Sequence, residues 1–154
     1  LCTVHRQENT DNLENLKSIF KALSVINKQR KIVLPLHPRT RKIMEANHLT
    51  TDFQVVEPLG YFDMLELLKK CSLVITDSGG MQKEAFFFGK YCITMRDETE
   101  WIELVNHHYN YLTGACDTEI LGAYHEILSK PFVNKHHFYG KGEASQQIVK
   151  AIIG

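Results

Sequence analysis

Leu73-Val74-Ile75-Thr76-Asp77-Ser78-Gly79-Gly80-Met81-Gln82-Lys83-Glu84-Ala85 passes from an apolar, β-branched run through a turn into a helical stripe. The run has no polar alternation, as expected of a strand covered on both faces. Met81, Ala85 and Phe88 then recur at helical spacing, and Gly89 ends the stripe. A strand feeding a helix in this way belongs to an open α/β sheet, whose ligands sit at the carboxyl ends of strands and against helix N-termini. Two adjacent glycines let the backbone approach an anion, Ser78 adds a hydroxyl, and the N–H groups and dipole of the helix start favour a phosphate. Glu84, one turn into the helix, is placed to accept from a ribose diol. The plain alternative is a tight turn capped by Ser78, with Glu84 a solvated helix residue.

The same alternation extends in both directions. Apolar runs at residues 1–4, 32–34, 53–56 and 91–94 read as further strands. Leu13, Leu16, Ile19, Phe20, Leu23 and Ile26 form a helical stripe that Asp11 is placed to cap. Leu65 and Leu68, with Tyr61 and Met64, give another, and Ile120, Tyr124, Ile127 and Leu128 a fourth. Phe86-Phe87-Phe88 reads as helix core. After Pro131 the chain turns aromatic and histidine-rich, and residues 144–153 read as a last helix. The βαβα order predicts a parallel sheet with helices on both faces, an α/β three-layer domain spanning 1–154.

Composition narrows the function. The chain has 154 residues, 44% hydrophobic, enough for one core, and 18 basic residues balance 18 acidic ones. No global field therefore draws it to nucleic acid or to an anionic membrane, and no run reaches the roughly 18 apolar residues of a membrane span. Cys2, Cys71, Cys92 and Cys116 form no CxxC pair and read as reduced thiols of a cytoplasmic protein. His107-His108 and His136-His137 lack the spacing of a ligand set, so no metal is expected. The chain opens inside an apolar segment without Met, which leads us to expect a piece of a longer protein.

Six landmarks in order carry a family resemblance. They are His5-Arg6-Gln7-Glu8-Asn9, Leu36-His37-Pro38, Pro58-Leu59-Gly60-Tyr61 followed by Met64, the 76–85 run, Arg96-Asp97-Glu98-Thr99-Glu100, and Tyr139-Gly140-Lys141-Gly142. Together they resemble the C-terminal domain of the UDP-N-acetylglucosamine 2-epimerase family. The resemblance implies a Rossmann-like domain, one half of a GT-B-type fold, with the N-terminal half absent from this chain. It implies that UDP lies mostly on this domain: diphosphate on Ser78, Gly79 and Gly80, ribose on Glu84, and the uracil edge at the main chain near Met64, where the family usually has Phe. It places His5 in the reaction, as a proton donor or switchable cation beside a departing diphosphate. Arg6 and Glu8 either pair to shape their loop or leave Arg6 free for a phosphate. His37 matches a histidine that helps hold a second, regulatory UDP-sugar in many bacterial members, though His37-Pro38-Arg39 replaces a frequent His-Pro-Asn; otherwise it is a turn residue.

The implied activity is inversion at C2 of a UDP-N-acetylhexosamine, by elimination of UDP to a glycal and re-addition, serving cell-surface polysaccharide synthesis. The resemblance further implies no cofactor, a homodimer when intact, and proton-transfer carboxylates in the missing domain, so this chain alone is expected to be inactive. Trp101-Ile102 stands where Arg-Pro is commoner and Lys83 where Glu is. The first change trades a charged donor for an apolar plate and is similar to relatives that epimerise modified sugars such as diacetamido-uronic acids. A hydrolysing 2-epimerase, the donor domain of a GT-B glycosyltransferase, and a binding module without catalysis are the other readings.

Overall fold

The computed structural model describes residues 1–140 and 142–153; Lys141 of the Tyr139–Gly142 landmark and the terminal Gly154 lie outside them. Strands β1 (Cys2–Thr3), β4 (Val74–Thr76), β5 (Cys92–Thr94) and β6 (Asn110–Leu112) form one parallel sheet in the order β1-β4-β5-β6. Strands β2 (Val33–Pro35) and β3 (Gln54–Val56) pair in parallel, with β2 beside β1. Across the layer the order is therefore β3-β2-β1-β4-β5-β6, and the direction of winding reverses between β1 and β4. In an open α/β sheet the crevice at that reversal is where ligands bind.

The pleat sends neighbouring residues to opposite faces. Ile75 and Ile93 point to one side, against α2 (Leu13–Asn27) and α7 (Asp117–Leu128), whose Leu16, Ile19, Leu23, Ile120 and Tyr124 fill the larger core. Val74 and Cys92 point to the other, against Leu68 of α4 (Tyr61–Lys70) and Met81 and Ala85 of α5 (Gly79–Phe87). Burial pushes the Cys92 thiol up to about 12, so it packs as a small hydrophobe. The remaining helices are α1 (Gln7–Thr10), α3 (Pro38–Ala46), α6 (Ile102–Asn106) and α8 (Ala144–Ile153). No described helix is long and apolar enough to cross a membrane.

Two local expectations need correction. Asn12 caps α2, its side chain accepting from the N–H groups of Glu14 and Asn15. Asp11 instead closes the short α1 and pairs with Arg39. The Phe86-Phe87-Phe88 triplet is not uniformly core: Phe86 is 3% exposed, whereas Phe87 is 59% and Phe88 36% exposed. Successive helix residues are turned by about 100°, so three in a row cannot share one buried face. Phe86 packs on Tyr109, Phe132, Phe138 and Tyr139, and so seats the C-terminal segment.

Candidate functional site

The loops that leave β1 and β4 meet at the reversal, and one side chain joins them. Asp77 is fully buried at the end of β4. Its Oδ2 accepts from the backbone N–H of His5 at 2.9 Å, the backbone N–H of Arg6 at 2.9 Å and Asn9 Nδ2 at 3.2 Å. Its Oδ1 lies 3.1 Å from His5 Nδ1. Burial opposes the charge, but the bonds from the His5 ring and from the Arg6 and His5 N–H groups outweigh it and hold the carboxyl below its usual range. Asn9 donates in addition to the Met95 carbonyl, which ties the loop to the exit of β5. His5, Arg6 and Asn9 are thus assembled around Asp77. Among the described residues no ion pair joins Arg6 to Glu8, so of the two readings for that pair the internal salt bridge is not formed.

His37 sits beside this loop, its ring centroid 5.4 Å from that of His5. It caps α3: Nδ1 accepts from the Arg39 N–H at 3.2 Å. A ring nitrogen that accepts must be unprotonated, and partial burial together with the neighbouring His5 and Arg39 pushes the His37 pKa down.

The helix start is an open ledge. Ser78 caps α5, its Oγ accepting from the Met81 N–H. The N–H groups of Gly79 and Gly80 occupy the first turn and have no intrahelical carbonyl to meet. Nothing lies within 4 Å of where a Gly80 side chain would begin, whereas one on Gly79 would collide with the Glu100 carboxylate. Glu100 is held there by Arg96 Nη1 at 2.7 Å. Trp101 braces the same turn, its indole N–H donating to the Gly79 carbonyl at 2.7 Å. Lys83 lies over the Trp101 ring at 4.6 Å and the Tyr139 ring at 4.3 Å. The buried Gln82 completes the brace by accepting from Thr99 Oγ1 and Asn110 Nδ2.

Glu84 is half-buried, burial raises its pKa, and among the described residues no hydrogen bond or ion pair reaches its carboxylate. Met64 packs with the cluster that holds Met81 and Ala85 of α5. Its own N–H is committed to the Gly60 carbonyl at 3.0 Å. Free main-chain donors on α4 are therefore those of its first turn, Tyr61 to Asp63, where Gly60 supplies no side-chain cap. A cavity of about 710 Å³ lies on the α2 side between Arg6, Glu8, Ser18, Arg96, Asp97 and Cys116. It abuts the His5 loop but does not include Ser78 to Gly80.

The sequence pattern singled out His5, Ser78, Gly79, Gly80 and Glu84, and the structure gathers the first four around the loops after β1 and β4. It adds Asp77, which holds His5, Arg6 and Asn9, and the Arg96–Glu100 pair beside Gly79. The i, i+4 charge pair was visible in sequence; the partners of Asp77, some 70 residues away, were not.

The family model for UDP-N-acetylglucosamine 2-epimerase matches residues 1–153. The chain belongs to the UDP-N-acetylglucosamine 2-epimerase family. It is 48% identical over 151 residues to the UDP-2,3-diacetamido-2,3-dideoxy-D-glucuronate 2-epimerase of Pseudomonas aeruginosa, covering 97% of this chain and 43% of that protein. Among solved structures, the Methanocaldococcus jannaschii UDP-GlcNAc 2-epimerase in complex with UDP-GlcNAc and UDP is similar with a TM-score of 0.89 at 34% identity, covering 98% of this chain and 44% of that one. The Neisseria meningitidis UDP-GlcNAc 2-epimerase bound to UDP-GlcNAc gives 0.82 at 30% identity, covering 99% and 43%. The chain thus spans about 43% of the length of the curated relative. Its parallel α/β fold is that of the matching part of these GT-B-like epimerases.

Proposed function

We propose that the chain is the nucleotide-binding part of an epimerase that inverts C2 of a UDP-N-acetylhexosamine or a modified relative. The observation that carries this reading is the Gly79–Gly80 helix start, with its unmet N–H groups, followed by the unpartnered carboxylate of Glu84 in a chain of this family. Ser78, Gly79 and Gly80 hold the diphosphate, Glu84 the ribose hydroxyls, and the free N–H groups of the first turn of α4, just before Met64, the uracil edge. Arg96, whose Nη1 lies 3.7 Å from where a Gly79 side chain would begin, and Arg6, which acts with it on Glu100, share the charge that grows as UDP leaves.

In the reaction the C2–H bond and the C1–O bond break, giving a glycal and UDP; UDP then restores the C1–O bond with its original configuration, while a proton returns to C2 on the opposite face. His5 works at the departing diphosphate, while the C2 proton is handled by groups outside this chain. Four unpaired thiols, with Cys116 exposed, suit a reducing compartment, the cytoplasm. The Pseudomonas relative and Trp101 together favour a diacetamido-uronate as the sugar. Incubation of the intact enzyme in deuterium oxide with UDP-2,3-diacetamido-2,3-dideoxy-D-glucuronate or UDP-GlcNAc, followed by NMR, tests this. Exchange at C2 with a new epimer is expected, faster for the uronate; transfer of the sugar to an acceptor without exchange would contradict it.

Two substitutions separate the ledge's functions. Gly80→Val places a side chain in the space left for phosphate, so UDP affinity should fall at least about tenfold, roughly 1.4 kcal/mol. As an exposed change it should alter stability by no more than about 0.5 kcal/mol. Glu84→Gln should weaken UDP but leave inorganic pyrophosphate binding as it was. Calorimetric titration with both ligands checks the pair.

A further inference from the structure

We propose that Asp77 is a positioning residue for the reaction: its buried carboxylate fixes His5 as the Nδ1–H tautomer and leaves Nε2 as the nitrogen that exchanges a proton at the substrate. The inference rests on the epimerase reading above. A carboxylate can only accept, so the ring nitrogen 3.1 Å from Asp77 Oδ1 must carry a proton whether His5 is neutral or charged. In neutral His5 the lone pair is then on Nε2, on the far side of the ring from the buried group. The His5 side chain is 36% exposed, against 0% for Asp77, so the ring meets a buried carboxylate at Nδ1 while part of it is open to solvent.

The orientation is also stiff. The same carboxylate grips the backbone of His5 and Arg6 and the side chain of Asn9, so ring and main chain of His5 are held by one anchor. His37 is set the opposite way: its Nδ1 accepts from the Arg39 N–H, so its proton is on Nε2. Two neighbouring imidazoles thus hold opposite tautomers, each fixed by the partner of its Nδ1. Only His5 is left with a basic Nε2.

Asp77→Asn makes a sharp test. Three donors converge on Oδ2, so the amide oxygen should settle there and keep the loop. Its NH₂ then faces His5 Nδ1, which must become the acceptor, and the proton moves to Nε2. Imidazole ¹⁵N spectra of the wild-type chain above the titration of His5 should show Nδ1–H; a predominantly Nε2–H His5 would overturn the proposal without recourse to any variant. In Asp77→Asn the tautomer should switch while the backbone amide spectrum persists. In the intact enzyme kcat should fall about 10²-fold, the usual worth of one acid–base group, with KM within about twofold. Wild-type kcat in a variant whose tautomer has switched would equally overturn it. If His5→Ala turns over normally while wild-type His5 is Nδ1–H, the catalytic place given to His5 fails although the Asp77–His5 geometry stands.

Discussion

Asp77→Ala should lower the stability of the chain by about 3–5 kcal/mol, because three donors lose one buried acceptor at roughly 1–3 kcal/mol for each unmet group. The substitution leaves the His5 and Arg6 N–H groups and Asn9 Nδ2 without their shared acceptor in the interior, and each unmet donor carries a desolvation penalty. For a domain of this size that is a fall of roughly 6–20 °C in Tm at about 2–4 °C per kcal/mol. The effect has a pH signature. The folded-state pKa of Asp77 lies below its ordinary 3.8. Its contribution is therefore complete above pH 3.8 and is lost as the pH falls through the folded value. Wild type should lose stability in that acid window, and the alanine variant should lack this component of the loss. Urea denaturation from pH 7 to pH 3 measures both.

His5→Ala in the intact enzyme should cut turnover by about 10²-fold or more, with little loss of UDP affinity. The imidazole ring is not one of the groups that make the ledge; it stands across the reversal point, on the loop after β1. The backbone N–H of residue 5 is still present in the variant, so Asp77 keeps that bond and the loop should hold. Initial rates against substrate concentration should therefore show the loss in kcat. A loss confined to KM would make His5 a binding residue instead.

Much of the fold was legible because β4 and β5 are short apolar runs buried on both faces and α2 and α7 carry regular apolar stripes, whereas the half-exposed β6, Asn110–Leu112, was not read as a strand. Ser78 and Gly89 marked the ends of α5 by ordinary cap chemistry. What escaped was short or tertiary. Helices α1 and α6 have four and five residues, too few for a period to show. α3 is mostly polar, with only Thr40 buried, so it has no stripe. Asp77 reads in sequence as a turn residue; its charge has meaning only when β1 is laid beside β4. The Thr76-Asp77 pair directly after an apolar strand was the available hint. The cradle was legible because two glycines at a helix start announce it locally, whereas the Glu100 carboxylate over Gly79 depends on how the exit of β5 folds back.

Titration of the ¹⁵N-labelled chain with UDP is the most direct measurement of where the nucleotide sits. With only this half of the cleft available, a Kd in the range of about 0.1–1 mM, roughly −5.5 to −4 kcal/mol, is expected. The amide shifts should centre on Ser78, Gly79, Gly80 and Glu84, extend to the first turn of α4, and vanish in Gly80→Val. Shifts centred instead on Gly114 to Cys116 in the 710 Å³ cavity, or on the His107 to Tyr111 region, with Gly80→Val binding as tightly as wild type, would contradict the assignment of the phosphate site.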